Sequence, residues 1–201
     1  AMPIKQFLKN KNVWFEKFVH IDNNKKLSFI NEKINIKLIE KKVNFKISEK
    51  QNFIEYSPLG IKYLIDILKL IKKNKGGLLI IDYGYFNKKM RDTLQAVHKQ
   101  KYSKVLENIG KSDLTYNINF YLIKKITNNF RKLDINFTSQ KNFLTNLGIQ
   151  QRAEIISKDK TFIEKADIFY RLKRLINAKE MGDLFKVMLI KDSSNNFQIG
   201  F

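Results

Sequence analysis

The 201-residue sequence contains no cysteine and only two histidines, His20 and His98. The absence of cysteine excludes a disulfide framework, a cysteine nucleophile and thiolate metal ligands. Because the two histidines are far apart in the sequence, a zinc site would have to depend on carboxylates. We therefore expect no metal centre.

Glycine is scarce, and its eight residues are isolated except for the pair Gly76-Gly77. The sequence therefore has neither a G-x-G-x-x-G dinucleotide fingerprint nor a P-loop. It also lacks the G-x-S-x-G turn that exposes a hydrolase serine. Neither a glycine-rich cofactor loop nor serine-hydrolase chemistry is supported by these residues.

Long apolar segments are missing as well. The longest runs, 78–81 and 187–190, are far below the roughly 20 residues that span a bilayer. The first five residues do not form the apolar core of a signal peptide. We expect a protein without a membrane span, in the reducing environment of the cytoplasm.

Positive charge is abundant, with a formal net charge of +20. The chain has 34 Lys but only 5 Arg, and 27 Ile and 21 Asn but only 5 Ala. This skew is typical of A/T-rich codons, and the lysines are spread along the chain. A low-GC bacterial genome explains the charge better than nucleic-acid binding does, since arginine is the better partner for phosphate and bases. A basic RNA-binding domain remains one alternative for the function.

The N-terminal part is predicted to be rich in strands. Residues 14–21 and 27–30 predict a hairpin that turns at Asp22-Asn23-Asn24. Weaker strand patterns follow at 34–39 and 44–47. Pro58 then opens an amphipathic helix that ends before Gly76-Gly77.

The segment 78–81 predicts a strand buried on both faces, ending at Asp82. Downstream, Asp113 or Thr115 could cap a helix that contains Phe120. The remaining pattern predicts further elements in this order: a strand at 135–138, helices at 140–147, 151–157 and 162–178, and a strong strand at 184–191.

Four carboxylates, Glu55, Asp82, Asp92 and Asp113, stand at the predicted ends of elements. Ligands bind beyond the carboxyl ends of strands in open α/β sheets, which favours a functional role. Acidic residues at such positions also serve as local caps and turn residues. Position alone leaves both readings open.

Several separated segments resemble, in order, the C-terminal half of the MidA-like methyltransferases. This family includes the mitochondrial complex I assembly-factor protein arginine methyltransferase. The matching segments are Ala1-Met2-Pro3-Ile4-Lys5-Gln6-Phe7, Glu55-Tyr56-Ser57-Pro58, Leu79-Ile80-Ile81-Asp82-Tyr83-Gly84-Tyr85, Asp92-Thr93-Leu94-Gln95-Ala96-Val97, Ser112-Asp113-Leu114-Thr115, Thr138-Ser139-Gln140, Met181-Gly182-Asp183-Leu184-Phe185-Lys186-Val187 and Gly200-Phe201. Tyr85 stands where the family commonly has histidine.

The resemblance implies an α/β fold. We expect part of a class I, Rossmann-like methyltransferase sheet with flanking helices, its last strand antiparallel and near the sheet edge. Residues 1–55 would form a β-rich insertion, and residues 56–201 the C-terminal part of the methyltransferase domain. The family's glycine-rich loop, which binds S-adenosylmethionine, precedes the matched region, so the cofactor-binding residues are not assigned here.

The implied function is S-adenosylmethionine-dependent methylation of protein arginine side chains, with a non-catalytic assembly module as the alternative. Paired carboxylates would orient a guanidinium, a role that we assign to Glu55 and Asp82. Tyr83, Gly84, Asp92, Asp113 and Thr115 would line the substrate cleft.

The resemblance also implies partners. They are a protein substrate, by analogy a respiratory complex I subunit, and a complementary N-terminal half or a second copy of the chain. Eukaryotic relatives act in the mitochondrial matrix, whereas the codon bias favours a bacterial cytoplasm for this protein.

Overall fold

A computed structural model describes residues 2–201. In chain order, the strands are β1 (Lys5–Asn10), β2 (Val13–Ile21), β3 (Leu27–Ile34), β4 (Phe53–Tyr56), β5 (Gly77–Tyr85), β6 (Gln95–His98), β7 (Lys101–Ser103), β8 (Asp113–Thr115), β9 (Ile118–Asn119), β10 (Leu133–Ser139) and β11 (Phe185–Asp192). The α-helices are α1 (Ile36–Val43), α2 (Pro58–Asn74), α3 (Phe120–Thr127), α4 (Gln140–Asn146), α5 (Ile149–Ser157) and α6 (Phe162–Ile176), and a π-helical turn follows at Ala178–Gly182.

The chain divides into two compact units. Unit 1 comprises the residues up to Asp66 together with Phe86–Asn129. Unit 2 comprises Ile67–Tyr85 and Phe130–Phe201. The chain passes from unit 1 to unit 2 within α2.

Unit 1 contains an antiparallel sheet with the strand order β3-β2-β1-β4. The predicted hairpin is confirmed, since β2 and β3 pair along their length and Asp22 accepts the backbone N–H groups of Asn24 and Lys26 in the turn. Phe7, Ile47 and Ile54 are fully buried and form part of the core of this unit.

Two local predictions in unit 1 are wrong. The region predicted as weak strands contains α1, whose N-cap is Asn35; its side chain accepts a hydrogen bond from the backbone of Lys37. Asp113 and Thr115 lie in β8, and the cap of α3 is Asn119. Both helices begin at an asparagine, a strong cap whose signal was hidden by the abundance of asparagine.

Unit 2 contains β10, β11 and β5 as neighbouring antiparallel strands. Because β11 runs opposite to both neighbours, β5 and β10 are parallel to each other. This confirms the antiparallel last strand expected of a class I methyltransferase sheet. The expected position near the sheet edge is confirmed too, since β11 lies next to β10, the terminal strand of the sheet, and Val187 to Asp192 are all buried.

The prediction that β5 is buried on both faces is also wrong. Its side chains alternate, and Leu79 and Ile81 are 45% and 48% exposed. A continuous apolar run does not distinguish a strand covered on both faces from one covered on a single face. The helices predicted in this unit are confirmed as α4, α5 and α6.

Gly200, the last glycine of unit 2, occupies a position where a side chain would clash. Gly200 has φ +90°, and a Cβ there would lie 2.4 Å from the ring of Phe143. That ring also packs against Phe201, with the ring centres 5.2 Å apart. The closing Gly200-Phe201 segment therefore anchors the chain end against α4.

Candidate functional site

Glu55 lies in β4 of unit 1 and is only 4% exposed. In the antiparallel register it stands directly opposite Gln6 of β1. Opposed residues of neighbouring strands present their side chains on the same face. Gln6 Nε2 accordingly donates a hydrogen bond of 2.6 Å to Glu55 Oε2.

Thr93 completes the surroundings of this carboxylate. Its hydroxyl donates to Glu55 Oε1, and its backbone N–H donates to Oε2 at 3.3 Å. The same hydroxyl accepts the backbone N–H of Asn117 at 2.9 Å. Glu55 is thus a buried carboxylate whose hydrogen-bond donors, in the described part of the chain, are all neutral. These hydrogen bonds fix the positions of Gln6 and Thr93.

Asp92 is the accessible member of the arrangement, with its side chain 51% exposed. Gln6 Nε2 donates to its Oδ1 at 2.8 Å, and the backbone N–H of Leu94 donates to the same oxygen at 3.3 Å. The ammonium of Lys17 lies 3.5 Å from Oδ2. One amide group of Gln6 therefore bridges a buried and an exposed carboxylate. We call Gln6, Glu55, Asp92 and Thr93 the carboxylate cluster.

The cluster presents one carboxylate oxygen for a cation. Oδ1 of Asp92 is occupied by an amide and a backbone donor, whereas Oδ2 has a long, exposed contact with Lys17. An exposed ion pair of this kind contributes about 0–1 kcal/mol, so an incoming cation can replace it. A guanidinium, whose planar donors match a carboxylate, would bind there more strongly than an ammonium.

The other predicted residues of unit 1 lie on the small sheet formed by β7, β6 and β8. Thr115 stands opposite Gln95, whose Nε2 donates to its hydroxyl at 3.0 Å. Gln95 stands two residues after Thr93. Its hydrogen bond to Thr115 therefore places Thr115 close in the structure to the segment that contains Thr93. Asp113 stands opposite Val97 and is exposed.

Asp82, Tyr83 and Gly84 belong to β5 of unit 2. Asp82 stands opposite Lys186, whose ammonium instead donates to the carbonyl of Asp183. Burial raises the pKa of the Asp82 carboxyl, although Oδ1 accepts the backbone N–H of Tyr83 at 2.8 Å. The Tyr83 ring contacts Phe185 edge-on at 5.1 Å. Glu55 is connected to Asp92 through Gln6. The pairing of Glu55 with Asp82 stays a prediction.

Gln6, Thr93 and Lys17 were not among the site residues predicted from the sequence. Gln6 and Thr93 both stand in segments that carry the family resemblance, and Thr93 directly follows Asp92. Their role depends on the β1–β4 register, which sequence patterns did not specify. An amide that is 49 residues from a carboxylate in the sequence gives no local signal, although the two stand on paired strands.

Unit 1 also contains a cavity of about 330 Å³. Four lysines and two aromatic residues line it: Lys50, Lys88, Lys89, Lys125, Phe45 and Tyr121. S-adenosylmethionine carries a sulfonium cation, which four ammonium groups would repel. This cavity does not fit the cofactor that the resemblance implies.

Within residues 2–201, no three His, Cys, Asp or Glu side chains are grouped so that they could hold a metal ion. None of the helices in this range is long and apolar enough to cross a bilayer.

Comparison with protein families gives a match over residues 1–137 to the family described as "Putative S-adenosyl-L-methionine-dependent methyltransferase". The zebrafish (Danio rerio) protein arginine methyltransferase NDUFAF7, mitochondrial, is 26% identical over 196 residues, which are 96% of this chain and 46% of that protein. The Caenorhabditis elegans homologue is 27% identical over 76% of this chain and 36% of its own length. The chain thus spans less than half the length of these relatives.

Two solved structures from Burkholderia thailandensis have the same fold. A COG1565 superfamily protein aligns with a TM-score of 0.80 and 20% identity, over 99% of this chain and 54% of that one. A second superfamily member, bound to S-adenosyl-homocysteine, aligns with a TM-score of 0.79 and 21% identity, over 100% and 53%.

Proposed function

Because the chain belongs to the family of S-adenosyl-L-methionine-dependent methyltransferases that its first 137 residues match, we propose that it binds the methyl acceptor in such an enzyme. The acceptor in this proposal is an arginine side chain of a protein. The observation that carries it is the carboxylate cluster, which holds one exposed aspartate in place. The names of the relatives, protein arginine methyltransferases, agree with this acceptor.

Asp92 receives the guanidinium in this mechanism. Its exposed Oδ2 exchanges the Lys17 ammonium for an N–H of the arginine, in a charge-assisted hydrogen bond. Binding of the guanidinium restricts its rotation, which presents one nitrogen in a defined direction. The carboxylate also stabilises the positive charge that the acceptor retains.

Glu55 is a positioning residue. Its carboxylate holds the Gln6 amide, and that amide holds Oδ1 of Asp92. Thr93 fixes the other side of Glu55 and the backbone next to Asp92. Loss of the Glu55 charge would therefore loosen Asp92 without removing it.

Asp82, Tyr83 and Gly84 keep their proposed place on the substrate side, because they stand near the carboxyl end of β5. Asp113 and Thr115 are proposed as substrate-binding residues on the small sheet of unit 1. In this account, residues 1–55 are an insertion and residues 56–201 are the C-terminal part of the methyltransferase domain. The cofactor would be held by residues other than those of the lysine-lined cavity.

The proposed partners follow from the relatives. We propose a protein substrate, by analogy a respiratory complex I subunit, and a complementary N-terminal half or second copy that completes the enzyme. The A/T-rich codon signature and the bacterial solved structures favour a bacterial cytoplasm.

The test is calorimetric titration of the 201-residue chain with a short peptide that contains one arginine, and with the same peptide carrying neutral citrulline. We expect the arginine peptide to bind at least about tenfold more tightly, and Asp92→Asn to remove that difference. Asp159→Asn, an exposed aspartate of unit 2, is the matched control and should change nothing. Equal affinity of the native chain for both peptides would contradict the proposed acceptor.

The alternative is an assembly module that binds protein without transferring a methyl group. Such a module would bind the arginine peptide but would never support methyl transfer, even when combined with the N-terminal half of a relative.

A further inference from the structure

The lysine-lined cavity of unit 1 takes no part in the function proposed above and shares no residue with the carboxylate cluster. Three parts of the chain form its walls: the turn that follows α1, the loop between β5 and β6, and α3. Its volume of about 330 Å³ is that of a small-molecule site.

Side-chain hydrogen bonds hold these walls together. Gln51 Oε1 accepts the backbone N–H of Met90 at 2.7 Å, and Gln51 Nε2 donates to the carbonyl of Ile47 at 2.5 Å. Asn119, the cap of α3, donates to the carbonyl of Asn87 at 3.1 Å. The cavity is therefore a built feature of unit 1 and not a gap between loose side chains.

Lys125 is held over two aromatic rings. Its ammonium lies 5.4 Å from the centre of the Tyr121 ring and 6.0 Å from that of Phe45. Cation–π attraction of this kind orients a cation without neutralising its charge. The rings thus keep a full positive charge at the cavity wall.

The four lysines of the cavity are unpaired. Within residues 2–201, none of them forms a salt bridge, and Glu49 is the single acidic residue that lines the space. Four lysine side chains that line one small space raise its positive potential, which a bound anion would lower. The lysine-rich composition explains scattered surface lysines, but not their convergence on one concave site.

We propose that this cavity binds a compact polyanion that carries phosphate groups, with pyrophosphate as its simplest form. A phosphate group concentrates about two negative charges in one small volume, whereas a carboxylate carries one. Lysine binds phosphate as a point charge and needs no planar geometry. The positive charge and the volume of the cavity match such a ligand, and its lysines have no salt-bridge partner, among the residues that the structure describes, that the ligand would have to displace.

The experiment is calorimetric titration of the full 201-residue chain with inorganic pyrophosphate, at constant ionic strength. Orthophosphate and citrate serve as comparison anions, and adenosine diphosphate against adenosine shows whether a phosphate of a nucleotide is the source. We expect pyrophosphate to bind more tightly than citrate, and adenosine not to bind. No measurable binding of pyrophosphate, or binding no tighter than that of citrate, would overturn the proposal.

Charge-reversed variants distinguish binding of pyrophosphate in the cavity from its unspecific attraction to the positive charge of the whole chain. K88E/K89E should weaken pyrophosphate binding by at least about tenfold, whereas K25E/K26E, a matched exposed pair in the β2–β3 turn, should change it less than about twofold. Lys125→Met keeps the apolar stem and should also weaken binding, which covers the case in which the double variant does not fold. Equal weakening by both charge-reversed pairs would show unspecific attraction and overturn the proposal.

Discussion

The two units of the molecule are built on different principles. Unit 1 contains two polar arrangements: a buried glutamate held by neutral donors beside an exposed aspartate, and a cavity lined by unpaired lysines. Unit 2 is centred on β11, whose residues from Val187 onward are buried between two paired strands. Polar groups that are buried or left unpaired cost stability, and functional sites are where such costs are usually found. The carboxylate cluster and the lysine-lined cavity, on which the two proposals rest, both belong to unit 1, whereas unit 2 contains a buried central strand.

The largest effect is expected in the core of unit 2. Ile190 is fully buried in β11, and Ile190→Ala should lower the free energy of unfolding by about 3–4 kcal/mol. Denaturant unfolding measures this change. Ile155→Ala on α5, where the side chain is 65% exposed, should change stability by less than about 0.5 kcal/mol. Equal losses for the two variants would show that β11 is not the core of unit 2.

Tyr56 should make the folding stability of the protein depend on pH in the alkaline range. Burial, assisted by the charge of Glu16, raises the pKa of Tyr56 to about 12 from an ordinary value of 10.0. The folded state therefore keeps the phenol protonated where the unfolded state loses its proton. The stabilisation is fully present below pH 10 and falls by about 2 kcal/mol as the pH rises to about 12.

Urea unfolding of the native chain and of Tyr56→Phe, at pH 9 and pH 12, tests this prediction. Lysines also lose their protons in this range, and the comparison of the two proteins removes their contribution. The native chain should lose more stability than the variant. Parallel losses would mean that the Tyr56 hydroxyl is not buried.

The carboxylate cluster should respond to a change at its centre. Glu55→Gln puts an amide donor among the donors of Gln6 and Thr93, so one of them loses its acceptor. We expect a loss of about 2 kcal/mol in unfolding free energy and weaker binding of the arginine peptide. Glu154→Gln, at an exposed position of α5, should leave both quantities unchanged. Unchanged peptide affinity in a folded Glu55→Gln protein would remove its positioning role.

The smallest effect is expected at Asp82, the second carboxylate predicted from the sequence to orient the guanidinium. Because burial raises its pKa, the charged form is less favourable in the folded state at pH 7. Asp82→Asn retains an acceptor for the Tyr83 N–H and should be neutral or slightly stabilising. A marked loss of arginine-peptide binding would instead support the original pairing of Asp82 with Glu55.

Sequence patterns located most elements of this fold because periodicity and motif order are local. The hairpin, α2, α3 and the C-terminal helices follow the expected spacing of apolar residues. The failures at α1 and at the cap of α3 have one cause, since the abundance of isoleucine and asparagine weakened the usual signals for strands and caps. The identity of the strands that pair with β11 depends on contacts between distant parts of the chain, which local patterns do not predict.

The candidate site could be predicted only in part for the same reason. Glu55 and Asp92 stood out as acidic residues in motif segments, at the predicted ends of elements. Gln6, which joins them, is 49 residues from Glu55 and 86 residues from Asp92 in the sequence. The lysine-lined cavity was hidden, because its four lysines come from three separate segments of a lysine-rich chain.

The central claim is that Asp92, held by the carboxylate cluster, binds the acceptor of a methyltransferase. The most direct measurement is transfer of labelled methyl from S-adenosylmethionine to the arginine peptide, by the chain combined with the N-terminal half of a relative. We predict transfer by the combination, its loss with Asp92→Asn, and its retention with Asp159→Asn. Full transfer by the Asp92→Asn protein would contradict the account.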